Sequence, residues 1–481
     1  MSNAAFPQPR DAASAGAAAQ ARAAWTALGG DGAAVDAVAF NGGGALASTY
    51  AVTDFAAATM ATAALAIAEL RAARGAGPAA IAIDRRLASL WFASSLRPLG
   101  WSVPALWDSI AGDYRARDGW IRLHTNAPHH RAAAERVLGA AGRKEGERKA
   151  GIDKAGVAQA VAFWAKADLE AAIVAAGGCA AEMRSVAEWA AHPQGSAVAA
   201  EPLVHLAVTD PAALPDWPVP PSRPLRGLRV LDLTRVLAGP VAARCLAAFG
   251  AEVLRIDPPD WDEPAIVPEV TLGKSCARLD LRRAADRAIF EALLSRADIL
   301  LHGYRPGALD RLGLDPAARR ALAPGLVDVS LDAYGWSGPW ATRRGFDSLV
   351  QMSSGIAESG MRWRNAERPV PLPVQALDHG TGYLMAAAAI SGVTRRLTQG
   401  SGTTARLSLA RTAKFLVDAP ADPAAPALAP ETPADLAPAI EATDWGPAHR
   451  LAPAIAIAGT PMQWDRPARR LGSAKPQWEE A

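Results

Sequence analysis

The chain has 481 residues, of which half are hydrophobic and a fifth are charged, and its formal net charge at pH 7 is +2. This composition supplies enough apolar surface for more than one hydrophobic core. The nearly balanced charge gives no long-range attraction for nucleic acid or for an anionic membrane surface, so we expect neither as a partner.

The three cysteines, Cys179, Cys245 and Cys276, show no CxxC spacing. A zinc site or a redox pair is therefore not expected, and no other metal ligand set stands out. A sparse, odd set of cysteines also argues against a disulfide scaffold and favours the cytoplasm. The N-terminus lacks the apolar segment of a signal peptide, and the alanine-rich stretch 55–70 is too short to span a bilayer.

Composition divides the chain at three places. Residues 1–25 are rich in Ala, Gly, Ser and Pro and are predicted to be mobile, and two proline-rich stretches are predicted to be linkers. The resulting units are 26–210, a linker over 211–224, 225–417, a linker over 418–438, and a C-terminal tail over 439–481 that packs on the main domain.

The central unit alternates strands and helices. Predicted strands are 229–233, 252–256, 298–301 and 325–330, and predicted helices are 241–249 and 284–296. This rhythm predicts an α/β fold with a Rossmann-like, mainly parallel sheet and helices on both faces. Ligands of such sheets lie beyond the carboxyl ends of the strands, so the loops after Leu233, Ile256, Leu301 and Ser330 are the expected binding region.

An internal repeat links the two larger units. Residues 54–71 and 378–395 each begin with Asp, continue through an alanine-rich helix and end at Arg, and a strand-like segment follows each. Alanine-rich helices also resemble each other by composition alone. The shared turn and strand favour duplication.

The first loop of the central unit, residues 234–240, lacks the GxGxxG pattern, which disfavours a dinucleotide wrapped over a glycine turn. Basic residues near the predicted strand ends suit a phosphate-bearing nucleotide, although each alone is typical of a solvated surface charge. They are Arg255, Lys274, Arg278, Arg305 and Arg311.

Two aspartates precede predicted helices. Asp347 and Asp378 each suit a helix cap. For Asp378 a second interpretation is a nucleophile, with Gly380 and Gly382 leaving room for a bulky thioester. In the unit 26–210, residues 113–123 predict a β-hairpin, and the histidines that follow it are interpreted as loop or surface residues.

Several segments of the central unit resemble the class III CoA-transferase superfamily, the CaiB/BaiF family. They are Arg226–Pro240, Gly250–Asp257, Gly273–Leu281, Arg305–Gly313, Gly325–Ser330, Gly345–Gly355 and Leu377–Leu416. The unit 26–210 resembles the second half of the same family, so the order of the halves looks rearranged. The resemblance implies the fold of that family, with a smaller α+β unit beside the Rossmann-like sheet.

The resemblance also implies a function. Family members move CoA between an acyl-CoA and a carboxylic acid and form interlocked dimers, which makes a homodimer one predicted assembly and a self-contained monomer the other. No tightly bound cofactor is implied, because CoA is a substrate. Asp378 would be the catalytic carboxylate, and the implied CoA contacts are Val236, Leu237, Ala238, Lys274, Gly303, Tyr304 and Arg311.

Two alternatives stay open beside the transferase. One is a non-catalytic CoA-binding paralogue. The other is an α-methylacyl-CoA racemase, whose relatives carry Gly-His-Asp where this chain has Gly345, Phe346 and Asp347. Phenylalanine cannot transfer a proton, and His379 is the nearby substitute base. Asp54, which is followed by apolar residues without glycine, is expected to be at most a helix cap.

Overall fold

The computed structural model of the chain describes residues 12–139 and 152–479. The first part contains one long core helix, a short parallel strand pair and a small α+β unit. Its elements are α1 Ala12–Ala27, β1 Val38–Asn41, α2 Val52–Ala73, β2 Ile81–Asp84, α3 Arg85–Trp91, β3 Leu96–Pro98, β4 Gly112–Ala116, β5 Gly119–Leu123, α4 Pro128–Gly139, α5 Lys154–Val161, α6 Lys166–Ala175, β6 Ala180–Glu182, α7 Val186–Ala191, α8 Pro193–Ala200 and β7 His205–Pro211.

The second part alternates strands and helices as predicted. Its elements are β8 Arg229–Leu233, α9 Ala238–Ala248, β9 Glu252–Asp257, α10 Val267–Val270, β10 Lys274–Arg278, α11 Ala284–Leu294, β11 Ile299–His302, α12 Pro316–Leu322, β12 Val327–Asp332, α13 Asp347–Ser353, α14 Ile356–Trp363, α15 Ala376–Gln399, β13 Ser401–Ser408, α16 Leu409–Val417, β14 Leu436–Thr443, β15 Gly446–Leu451 and β16 Ile455–Ile457.

A seven-stranded sheet dominates the fold, in the order β10-β9-β8-β11-β12-β13-β7. The first six strands pair in parallel, and β7 joins one edge antiparallel to β13. Alternate side chains point to opposite faces: Val230 belongs to one hydrophobic core and Leu231 to another. Both faces are therefore covered, which confirms the predicted α/β fold class with helices on both faces of a mainly parallel sheet.

The smaller α+β unit consists of the antiparallel sheet β4-β5-β6 with α4, α5 and α6 around a core of its own. The predicted hairpin is confirmed, since β4 and β5 pair antiparallel with Ala116 opposite Gly119 at the turn. Its apolar side chains include Ile121, Val157 and Leu169, all fully buried.

The predicted break at residue 210 does not separate two independent bodies. Strand β7 precedes the break yet completes the large sheet, and α2 packs against α15 in one continuous core. Residues 212–220 have neither helix nor strand, as a linker would. The sequence pattern could not show that the segment before residue 212 pairs with β13, because strand pairing is a long-range property.

The N-terminal segment departs from the expected mobility. Residues 12–25, predicted to be mobile, belong to α1, which packs on α2 with Ala17, Ala21 and Trp25 buried; residues 1–11 lie outside the described residues. Alanine lets two helices approach closely, so a composition typical of disorder here forms a tight helix contact.

The C-terminal tail returns to the first part of the chain. Strand β15 pairs with β3, and β16 pairs with β2 in a three-stranded sheet with β1. Trp478 is buried in the core under α11. The tail thus packs on both parts of the molecule.

Helix α2 is longer than the stretch 55–70 that the sequence suggested, and by length and composition it could cross a membrane. Most of it is buried inside the protein, between α1 and α15. Its apolar character is therefore accounted for by the core.

Candidate active site

Asp378 is the third residue of α15, and its side chain makes no hydrogen bond or ion pair with any of the described residues. The residue is only 5% exposed, and it lines a cleft of about 790 Å³. The capping role considered for Asp378 is wrong, because Gln375 is the N-cap and makes no side-chain capping bond. The carboxylate is thus held at the cleft without a partner.

Asp347 supplies the missing cap. Its carboxylate accepts hydrogen bonds from the backbone N–H groups of Leu377 at 3.0 Å and Asp378 at 3.1 Å, and also from the Gln351 side chain. The expectation that Asp347 caps its own helix is corrected, since Phe346 is the N-cap of α13. A carboxylate from one helix therefore fixes the first turn of another.

The two carboxyl groups influence each other. Burial raises the pKa of Asp347 to about 6, although its hydrogen bonds oppose the shift. Burial, and then the nearby charge of Asp347, raise the pKa of Asp378 well above its ordinary value. An ionised Asp378 is poorly solvated and unpaired, which makes it a high-energy and hence reactive carboxylate.

The cleft has a volume of about 790 Å³ and lies at the carboxyl ends of the parallel strands. The loops after β8, β9, β11 and β12 all contribute to its wall, as the sheet topology predicts. Residues that line it include Val236, Leu237, Ala238, Trp261, Gly303, Tyr304, Arg305, Leu331, Asp332, Arg344, Phe346, Asp378 and Leu409.

The loop 234–238 is held in an unusual conformation. Val236 has a φ of 63°, and its N–H donates to Glu263 at 2.9 Å. Glu263 in turn pairs with Arg255, which also contacts Asp257 at 2.8 Å. A β-branched residue in the left-handed region is strained, so this buried network fixes the loop against the cleft.

Several predicted phosphate ligands do not reach the cleft. Arg255 is fully buried in the network just described, and Arg278 donates to the carbonyls of Pro258, Pro259 and Trp261. Arg311 is exposed and is not among the described residues of the cleft wall. Burial lowers the pKa of Arg305, which lines the cleft, and the like charges of Arg344 and Arg311 add to the shift.

Lys274 is also fully buried. Its Nζ contacts Asp232 at 2.8 Å and the carbonyl of Pro240 at 2.9 Å, behind the loop between β8 and α9. These contacts hold the loop from behind, where the side chain has no access to the cleft. Its predicted contact with CoA therefore has no geometric support.

The small unit supplies residues that the sequence did not suggest. His129 and His130, from α4, line the cleft next to Phe346. His124 stacks on Phe346 at 3.7 Å between ring centroids, and burial lowers the pKa of His124 and His130 to about 3. The interpretation of the three histidines as loop or surface residues holds for His124, which lies in a loop although it is buried, and is wrong for His130, which is buried in α4. No spacing in the sequence could reveal this, because more than 200 residues separate them from Phe346.

The two glycines after Asp378 serve packing rather than substrate access. A Cβ at Gly380 would lie 2.1 Å from the Phe55 ring, and one at Gly382 would lie 2.4 Å from the carbonyl oxygen of Ala238. The room that we expected for a thioester is filled by α2 and α9. Glycine here permits close approach between helices.

His379 points away from the cleft. Its ring stacks on Phe92 at 5.0 Å in the core, and burial lowers its pKa to about 3. The substitute base suggested by the sequence is therefore not positioned beside the cleft.

A sequence profile of CoA-transferase family III matches residues 225–477, which is more than half of the chain. The chain belongs to CoA-transferase family III. The matched region contains every strand of the large sheet except β7, and it contains Asp378.

Similar proteins are CoA-transferases by name. A probable fatty acyl-CoA transferase of Mycobacterium tuberculosis is 32% identical over 194 residues, which cover 37% of this chain and 49% of the relative. An acetyl-CoA:oxalate CoA-transferase of Acetobacter aceti is 35% identical over 151 residues, covering 29% of this chain and 39% of the relative.

Two solved structures are similar to parts of the chain. A crystal structure of the Mycobacterium tuberculosis protein shows 30% identity with a TM-score of 0.38, and covers 44% of this chain and 57% of that one. A CaiB/BaiF family protein from Brucella suis shows 24% identity with a TM-score of 0.37. The chain spans about half the length or less of the first curated relatives it matches.

Proposed function

We propose that the protein transfers CoA from an acyl-CoA to a carboxylic acid, with Asp378 as the nucleophile. The observation that carries this proposal is an unpaired, nearly buried carboxylate at a large cleft formed by the strand-end loops. Family membership supports the reaction class, and the relatives' names include oxalate and succinyl-CoA as substrates.

The reaction balances without ATP or a redox partner. A carboxylate oxygen of Asp378 attacks the thioester carbonyl carbon, the C–S bond breaks, and CoA leaves as a thiolate. The thiolate then attacks the aspartyl carbonyl of the mixed anhydride, which releases the donor acid and leaves an aspartyl-CoA thioester.

The acceptor completes the cycle in the same way. Its carboxylate attacks the aspartyl-CoA carbonyl, giving a new anhydride and a free thiolate. The thiolate attacks the acceptor's carbonyl, which forms the new acyl-CoA and restores the Asp378 carboxylate. The anhydrides must be kept from water, and the apolar side chains of Leu237, Leu331, Phe346 and Leu409 on the cleft wall suit that need.

Helix α9 begins at the same wall and has no side-chain cap at Leu237. Its first N–H groups and its dipole can stabilise negative charge on a thiolate or a tetrahedral oxyanion. Val236, Leu237, Ala238, Gly303 and Tyr304 are the proposed CoA contacts, since all five line the cleft. Arg311 and Lys274 remain predictions without such support.

A single chain supplies both the strand-end loops and the histidines of the small unit. This arrangement supports a site complete within one protomer, whether the protein is a monomer or a homodimer. We propose the cytoplasm as its compartment, in keeping with its three free, buried cysteines.

The test is a panel of acyl-CoA donors with acetate, succinate, formate and oxalate as acceptors, followed by chromatography of the CoA thioesters. We expect exchange with at least one pair. CoA binding by calorimetry without exchange for any pair would favour the non-catalytic paralogue, and the absence of any CoA binding would exclude both.

The racemase alternative has a separate test. Phe346 contributes no proton-transfer group, and His379 lies in the core. We therefore expect no solvent deuterium at the α-carbon of a 2-methylacyl-CoA after incubation in heavy water. Deuterium incorporation that is lost in H130A would assign a base to the small unit and contradict this expectation.

A further inference from the structure

Two aspartates occupy the same place in two helices that pack against each other. Asp54 is the third residue of α2, as Asp378 is of α15. The two helices approach closely where Gly380 meets Phe55, within one helical turn of each aspartate. Each helix is followed by a strand that pairs in parallel with the strand before the helix, β1 with β2 and β12 with β13. The two repeats in the sequence therefore share the same arrangement of strand, helix and parallel strand in the structure.

The match continues into the next helix. Asp84 ends β2 and caps α3, and Ser408 ends β13 and caps α16, each by accepting an N–H from the third residue of its helix. The residue that follows each cap is Arg85 in the first half and Leu409 in the second. Each lies 31 residues after its aspartate.

These two residues give the aspartates opposite surroundings. Arg85 donates from Nε to Asp54 at 3.1 Å and forms a second contact through its guanidinium, with only 6% of its side chain exposed. Helix α1 covers the other oxygen, since a Cβ at Gly16 would lie 2.3 Å from it. Leu409 instead is an apolar residue that lines the same cleft as Asp378 and offers no charge.

We propose that the residue after each helix cap determines which of the two aspartates can act as a nucleophile. Arg85 pairs with Asp54 and prevents its attack, whereas Leu409 leaves Asp378 unpaired. Leu409 is thus a positioning residue for the proposed transfer reaction, on which this inference rests. A carboxylate engaged by a guanidinium has its lone pairs occupied and its charge stabilised, so it attacks a thioester poorly.

Other charged groups near Asp378 do not take the place of Arg85. Asp347 approaches it from α13 and adds negative charge. Of the cationic groups on the cleft wall, Arg343 pairs with Glu170 at 2.9 Å, and Arg235 lies 4.8 Å from the Trp261 ring. The titratable and charged groups on that wall are His129, His130, Arg235, Asp260, Asp262, Tyr304, Arg305, Asp332, Arg343 and Arg344.

The test places an arginine at position 409, which corresponds to Arg85 in the first half. L409R is compared with L409Q, which is polar but uncharged, and with L409M, which keeps the apolar character. Leu409 lines the cleft but is only 4% exposed and packs in the main hydrophobic core, so L409K, whose charge lies at the end of a flexible chain, serves as a second cationic variant if L409R does not fold. Thermal unfolding and circular dichroism establish that each variant is folded.

Two measurements distinguish the effect of a positive charge at position 409 from the effect of altered packing. The first is the pH profile of kcat, and the second is an infrared titration of the protonated carboxyl band without substrate, assigned by its absence in D378N. In L409R we expect kcat to fall by roughly 100-fold or more and the Asp378 titration to move down by about one pH unit or more. L409M and L409Q should keep the original titration, and their kcat should stay at least about tenfold above that of L409R.

The outcomes are distinct from those of the transferase assay. An L409R protein with wild-type kcat and an unchanged titration would overturn the proposal, and so would equal losses in L409R and L409Q. If the wild type transfers no CoA but the infrared titration moves in L409R, the positioning role of residue 409 stands and the proposed function fails.

Discussion

The backbone N–H of Asp378 donates a hydrogen bond to the carboxylate of Asp347 at 3.1 Å, so one acidic side chain anchors the helix on which the other lies. The anchor also brings a second negative charge to a buried carboxyl group. The arrangement combines a fixed position for Asp378 with a poorly solvated charge, and it leads to measurable consequences for both activity and stability.

The first prediction concerns Asp347. D347N keeps an oxygen that can accept from the first turn of α15 but removes the charge that helps to raise the pKa of Asp378. Transfer requires the ionised carboxylate, so the acid limb of the kcat profile should move to lower pH. D347A, which also loses the cap, should be destabilised by about 1 kcal/mol relative to D347N. An acid limb that stays in place or moves upward in D347N would contradict the proposed coupling.

The second prediction is that the buried carboxyl group of Asp378 lowers the stability of the folded protein above about pH 4. Because the pKa of Asp378 is raised, the folded protein retains a proton that the unfolded chain releases near about pH 4. The stability contribution is therefore present at low pH and is lost as pH rises through the folded pKa. D378N should melt at a higher temperature than the wild type at about pH 8, with a smaller difference at about pH 5. A lower melting temperature for D378N at both values would show that the carboxylate is stabilised by a contact we have not identified.

The third prediction distinguishes Asp54 from Asp378. D54N should leave turnover nearly intact, because Asp54 does not line the cleft within the described part of the chain. Its structural role differs from the expected cap: it balances the buried guanidinium of Arg85, so D54N should lose about 3 kcal/mol of unfolding free energy. The double variant D54N/R85M removes both charges and should recover part of that loss in urea unfolding. A D54N protein that is stable but inactive would reverse the assignment.

The fourth prediction concerns Lys274. K274M leaves Asp232 buried without its cation, which should cost about 3–5 kcal/mol in urea unfolding. Below the unfolding transition, calorimetry should find CoA affinity little changed, because the ammonium group does not reach the cleft. R305Q is the matched comparison: Arg305 does line the cleft, so this variant should weaken CoA binding with little effect on stability. A stable K274M protein that has lost CoA binding would restore the contact implied by the family resemblance.

Local patterns predicted the large sheet well. The predicted bounds of β8, β9, β11 and β12 agree with the observed ones to within about two residues, because apolar runs alternate with helical patterns along this part of the chain. The turn at residues 118–119 likewise predicted the hairpin. The rules for parallel sheets then placed the binding loops at the carboxyl ends of the strands.

What the sequence could not show depends on contacts between distant segments. Composition suggested that residues 12–25 are mobile, but α1 finds a partner in α2. The glycines after Asp378 suggested open space, yet Phe55 and Ala238 fill it from other elements. The cap of α15 comes from Asp347, and the histidines of the cleft come from α4. Each of these features is decided by tertiary packing, which local propensity does not encode.

The most direct measurement of the central claim is covalent trapping. The wild-type protein is incubated with an acyl-CoA that supports exchange, quenched with hydroxylamine or borohydride, digested, and analysed by mass spectrometry, with D378N and D54N treated in parallel. We expect a modified Asp378 in the wild type and in D54N, and no modified aspartate in D378N, which should still bind CoA. A modification on Asp54 with none on Asp378 would overturn the assignment of Asp378 and place the nucleophile in the other half of the chain.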